Sequence, residues 1–93
     1  MNPVPTTVTT RTLTVRYFAA AKAAAGTPEE TVELPDGASV ADAVAAVRDA
    51  HGTELGRVLE RCSFLLDEVA VRDRAAALGG ARTLDVLPPF AGG

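Results

Sequence analysis

From Thr12 to Phe18 polar and apolar residues alternate: Leu13, Val15 and Tyr17 fall on one face, Thr14, Arg16 and Phe18 on the other. A period of two marks a half-buried strand. Ala19 to Ala25 is almost pure alanine around Lys22, a strong helix former, and Gly26 stands at its C-terminal cap. Thr27-Pro28 reads as a loop, and Glu30 to Leu34 alternates again with Val32 and Leu34 inward. A hairpin between these strands has to contain the short helix. Pro35-Asp36-Gly37 is a turn, because proline presets φ and glycine takes the left-handed position. Ser39 then caps a helix, with Asp42 three residues on as a capping box. Val40, Ala43, Val44 and Val47 recur at helical spacing, which predicts the main helix over Val40–His51, ended by Gly52.

Leu55, Val58 and Leu59 predict a second helical piece within Thr53–Arg61. Two short strands, Ser63–Leu66 and Val69–Val71, are joined at Asp67-Glu68. Arg72-Asp73-Arg74 reads as a solvated charge run, Ala75–Leu78 as a helical turn and Gly79-Gly80 as a loop. The last strand is Thr83–Leu87, expected near the middle of the sheet because it is apolar and free of proline. This order predicts an α+β domain: a mixed sheet of four to five strands with one main helix across one face. Residues 1–11, rich in Thr and Pro, read as a disordered lead-in, 12–87 as the domain and 88–93 as a protruding tail.

With 93 residues there is room for one small domain. A net charge of −3 without a basic cluster excludes the footprint of a nucleic-acid binder. No apolar run is long enough to span a membrane, and the N-terminus lacks a signal-peptide pattern. One cysteine fits a reducing compartment, so a cytoplasmic protein is expected. Cys62 reads as a small buried filler rather than a nucleophile, and His51 as a cation at a helix C-terminus. No convincing catalytic constellation is left in the body.

The tail is different. Pro88 and Pro89 end the last strand, stiffen the chain and point it away from the body. Phe90 is a large apolar group outside any periodic pattern, expected to anchor in a partner's pocket. Ala91, Gly92 and Gly93 follow, the glycines narrow enough to pass where no side chain fits, with an α-carboxylate at the tip. Such an end suits activation of the terminal carboxyl itself.

Val15-Arg16-Tyr17-Phe18-Ala19, Ala24-Ala25-Gly26, Leu34-Pro35-Asp36-Gly37 and above all Leu87-Pro88-Pro89-Phe90-Ala91-Gly92-Gly93 resemble the ubiquitin-like sulfur carriers. The Pro-Pro-x-x-Gly-Gly ending is most similar to the molybdopterin synthase small subunit. The resemblance implies a β-grasp fold and a non-catalytic, sulfur-donating subunit. It further implies that an E1-like enzyme using ATP and Mg adenylates Gly93 and that a sulfur donor protein then makes a Gly93 thiocarboxylate. The tail would deliver this sulfur to a cyclic pyranopterin monophosphate inside the large synthase subunit, in a heterotetramer. No cofactor bound by the chain itself, no metal, no nucleic acid and no membrane are expected. The same tail also suits a carrier for thiamine or cysteine formation, or a modifier conjugated through Gly93. The chain departs from the family pattern at Asp67-Glu68, where a glycine is common, and at Gly79-Gly80-Ala81, where Asp-Gly-Asp is common.

Overall fold

The structure is a computed structural model and describes residues 9–89. Eight elements follow in order: β1 (Thr10–Tyr17), α1 (Ala19–Ala25), β2 (Glu29–Pro35), α2 (Val40–His51), α3 (Thr53–Leu59), β3 (Ser63–Leu66), β4 (Val69–Ala70) and β5 (Thr83–Leu87). The five strands form one sheet in the order β2-β1-β5-β3-β4. Only the β1–β5 pair is parallel. The last strand is therefore the third of five, as its apolar character predicts, flanked by β1 and β3.

The first strand starts earlier than the alternation suggests. Thr10 and Arg11, read from the sequence as part of a disordered lead-in, pair with Pro35 and Leu34. The reason is the length of the partner: β2 runs on to Pro35 and offers them a ladder. The strand ends at Tyr17, and Phe18 becomes the extended N-cap of α1. That helix closes at Gly26, whose φ of 77° is the left-handed cap geometry. Its amide donates to the Lys22 carbonyl.

The main helix forms where its capping box allows. The Asp42 amide donates to Ser39 Oγ at 3.1 Å and the Ser39 amide to Asp42 Oδ2 at 2.8 Å. Two of the four orphan donors at a helix start are thus satisfied. Val40, Ala43, Val44 and Val47 then face a core built with Leu13, Val15, Tyr17, Leu34, Leu55, Leu59, Phe64, Leu84 and Val86. Residues 75–78 do not make the helical turn expected of them. Ala77 bridges Ser39, and the Leu78 amide donates to the Ala38 carbonyl, so the segment is strapped to the start of α2. Leu78, at 3% exposure, plugs the core there.

Asp67 and Glu68 both lie at positive φ (46° and 69°), where glycine is usual. The Asp67 carboxylate accounts for the choice of residue. It accepts the amides of Arg82 and Thr83, each at 2.9 Å, and the Thr83 hydroxyl at 3.2 Å. Those bonds, the Arg82 amide first, hold its pKa below the usual carboxylate range. A glycine there would free the backbone but lose this clamp between the β3–β4 turn and the start of β5.

Candidate functional site

Asp85 sits in the middle of β5 and is only 5% exposed. The parallel register sets it against Arg16 of β1, and the two side chains form a bidentate pair: Nε to Oδ1 at 2.6 Å and Nη2 to Oδ2 at 2.8 Å. A slip of one residue would carry the carboxylate to the other face of the sheet, away from its partner. The pair therefore pins β5 in register, and with it the point at which the chain leaves the sheet.

That exit is the candidate site. Leu87 still pairs with Ser63, and the last bond from β1 runs from the Phe18 amide to the Val86 carbonyl at 3.2 Å. Pro88 and Pro89 follow with no amide to offer, so the ladder cannot continue. Pro88 is half-buried and Pro89 exposed. On the helical side they border a groove of about 810 Å³ with Ala20, Arg57, Val58, Glu60 and Arg61. Phe18, at the junction of β1 and α1, is 41% exposed. Sequence reasoning gave Phe18 no role. The available signal was its position, a large aromatic on the polar face of an alternating strand. Phe90, Ala91, Gly92 and Gly93, the reacting and docking residues expected from the sequence, lie outside the described residues. Of the six tail positions, the structure thus places Pro88 and Pro89.

The other candidate groups are occupied by the fold. Cys62 is 6% exposed and its thiol donates to the Val58 carbonyl at 3.2 Å. Burial pushes this thiol up, with Arg74 opposing more weakly, so it stays a protonated core filler. Arg74 was expected in a solvated run with Arg72. Its guanidinium instead reaches the carbonyls of Cys62 (3.1 Å) and Leu59 (3.5 Å) and lies 4.7 Å over the Phe64 ring. His51, expected only at the end of α2, also meets side chains of the sheet. Its Nε2 meets Glu30 Oε2, which also accepts the Tyr17 hydroxyl at 2.9 Å, and the Tyr17 and His51 rings stand edge to face at 6.0 Å. No sequence spacing links these three; β1, β2 and α2 converge on them only in the fold. Among the described residues no group of three His, Cys, Asp or Glu side chains is placed to hold a metal ion, and no helix is long and apolar enough to cross a membrane.

Tyr17 carries a prediction. Burial first, then the hydrogen bond to Glu30, raises its pKa above the ordinary value near 10. Below about pH 10 the stability is fully present. Above it the unfolded chain releases the phenolic proton and the folded chain does not, so stability falls as pH rises. Tyr17 is the only tyrosine and there is no tryptophan, so the tyrosinate absorption band reports this group alone. Tyrosinate is expected to appear together with loss of structure, not as a separate step near pH 10. A simple titration near 10 in the folded protein would show that the hydroxyl is not held.

Comparison with known proteins places this geometry. The ThiS family model matches residues 15–93. The chain is 38% identical over 80 residues to the molybdopterin synthase sulfur carrier subunit of Chlamydomonas reinhardtii, covering 85% of this chain and 95% of that protein. Its fold matches SAMP1 from Haloferax volcanii, with a TM-score of 0.78 at 24% identity over 89% of this chain and all (100%) of that one. It also matches a chain from the complex of subunits 1 and 2 of molybdopterin-converting factor from Helicobacter pylori, with a TM-score of 0.61 at 20% identity over 89% of this chain and 100% of that chain. With its ubiquitin-like β-grasp fold, and with a family match that spans the sheet, the helices and the tail, this chain belongs to the ThiS family.

Proposed function

We propose that this protein is the sulfur carrier of molybdopterin synthase, its small, non-catalytic subunit. The observation that carries the reading is the exit of the tail. A Pro-Pro pair leaves the central strand at a register pinned by the Arg16–Asp85 pair, and four residues ending in Gly92-Gly93 follow. The resemblance to the algal carrier over most of both chains supports the pathway.

The chemistry asked of the tail is carboxyl activation. An α-carboxylate with a pKa near 3.5 is ionised at neutral pH and is a poor electrophile. In the proposed cycle an E1-like enzyme, using ATP and Mg, joins the Gly93 carboxylate to AMP with loss of pyrophosphate. Sulfide delivered by a donor protein attacks the acyl carbon and displaces AMP, leaving a Gly93 thiocarboxylate. The tail then enters the large subunit, where this sulfur is given to a cyclic pyranopterin monophosphate. Gly92 supplies narrowness, Pro88 and Pro89 supply reach, and Phe90 and Ala91 fill the mouth of the partner's site. We place the cycle in the cytoplasm, where ATP is at hand and Cys62 stays reduced. A large-subunit partner is supported by the Helicobacter complex, whose subunit shares this fold.

Intact mass after co-expression with the activating and sulfur-donating enzymes tests the reading. Replacement of one oxygen by sulfur at the C-terminus is expected. A ladder of conjugates would instead make the chain a modifier, and an unchanged mass would make it a binding module. Docking has its own test. Phe90→Ala is expected to weaken binding to the large subunit by about 2 kcal/mol, the range of an interface hot spot, and to leave the melt unchanged. Equal affinity would remove Phe90 from the interface.

A further inference from the structure

We propose that the groove between α1, α3 and the tail root is a docking site for an acidic segment of the large subunit, whose carboxylates seat against Arg57 and Arg61. The proposal rests on the sulfur-carrier reading and adds to it a second contact, separate from the tail.

Three observations lead to it. The first is reach. From Pro89 to Gly93, the proposed reacting residue, the chain runs four residues, at most about 14 Å when extended. If the tip is to react inside a site sheltered from water, most of that length is spent within the partner. The partner's surface then meets this chain at the level of Pro89, and Pro88 and Pro89 form one wall of the groove.

The second is charge. Arg57 and Arg61 both line the groove and are both exposed. Arg57 lies in the last turn of α3 and Arg61 in the turn that follows it, so both reach the groove from one end of that helix. Among the described residues neither guanidinium lies within ion-pair distance of a carboxylate. Glu60 on the same rim offsets one of the two charges, leaving the rim at about +1 on a chain whose net charge is −3. The local sign is thus opposite to that of the whole protein, and an acidic partner segment is the complement.

The third is shape. The groove, about 810 Å³, is lined by the apolar Ala20, Val58, Pro88 and Pro89 together with Arg57, Glu60 and Arg61. Such a mixed lining suits a partner loop, and apolar contacts around an ion pair strengthen it by excluding water. Arginine suits the task because its planar fork binds a carboxylate through two donors.

The experiment follows association of the full chain with the separately produced large molybdopterin synthase subunit of the same organism, by stopped flow at several salt concentrations. Arg57→Glu with Arg61→Glu is expected to slow association roughly tenfold at low salt. Arg57→Gln with Arg61→Gln should fall between the two. The differences should vanish near 1 M salt, where the screening length is about 3 Å. Melts of both variants should match the parent, since neither side chain is buried. The Gly93 deletion, which leaves the groove whole, should associate at the parental rate. Equal rates for parent and charge-reversed protein would overturn the proposal. So would a reversal that shifts the Gly92 and Gly93 amide resonances of the free chain without slowing association, because the groove would then serve the chain's own tail. A parent that does not bind the large subunit at all would overturn the sulfur-carrier reading as well.

Discussion

Deleting Gly93 is expected to lower sulfur transfer at least a hundredfold while folding and partner affinity stay at the parental level. The deletion still leaves a terminal glycine carboxylate, so the functional group itself survives. What changes is its position, withdrawn by about 3.5 Å, one extended residue. A misplacement on the order of 1 Å can already cost about a hundredfold in rate. The body cannot compensate, because the exit point is set by β5 in the middle of the sheet and its register is held by Arg16 and Asp85. Gly92→Val should fail for a second reason, since a branched side chain restricts φ and ψ and widens the tail. The assay is product formation from chemically prepared thiocarboxylate, with a melt and a binding curve alongside. Full activity in the Gly93 deletion would end the carrier reading.

Val47→Asp is expected to unfold the protein at ordinary temperature. Val47 is 1% exposed and lies in the stripe by which α2 covers the sheet. Among the described residues the buried charged side chain is Asp85, itself a carboxylate already paired with Arg16, so a carboxylate introduced at Val47 would find no buried cation. The effective cost of burying one ion is several kcal/mol, against a total stability of about 5–15 kcal/mol. For a domain of this size each kcal/mol moves the melting temperature by roughly 4–8 °C. Ala41→Asp is the control. Ala41 is exposed in the first turn of the same helix, where a negative charge meets the dipole favourably, so its melt should match the parent or rise slightly. A near-native melt for Val47→Asp would mean that α2 presents another face to the sheet.

Much of this architecture was legible before any coordinates. Leu13, Val15 and Tyr17 announced the inner face of β1, and 0%, 0% and 2% exposure bear that out. Ser39 with Asp42 and the Val40-Ala43-Val44-Val47 spacing defined the main helix from its cap to His51. These signals are local: a cap, a turn and a period need only residues within a few positions of one another. The end of β5 was legible for the same reason, since Pro88 and Pro89 have no amide with which to continue the ladder.

The contacts that needed the fold join residues far apart in sequence. Asp85 read as one polar position in an apolar strand, and only the parallel pairing of β1 with β5 gave it Arg16. Tyr17, Glu30 and His51 meet because a hairpin and a helix end at the same corner. Arg57, Arg61 and Pro89 border one groove because α3 packs beside α1 at the strand exit. By itself, then, the sequence determined most of the elements and their inward faces, while the start of β1 and the path of residues 75–78 needed the fold. Tertiary structure decided which charges are paired, which arginines have no carboxylate partner among the described residues, and where on the surface the tail begins. Those depend on register and on the packing of elements, and no period or spacing along one chain encodes the distance between residues 16 and 85.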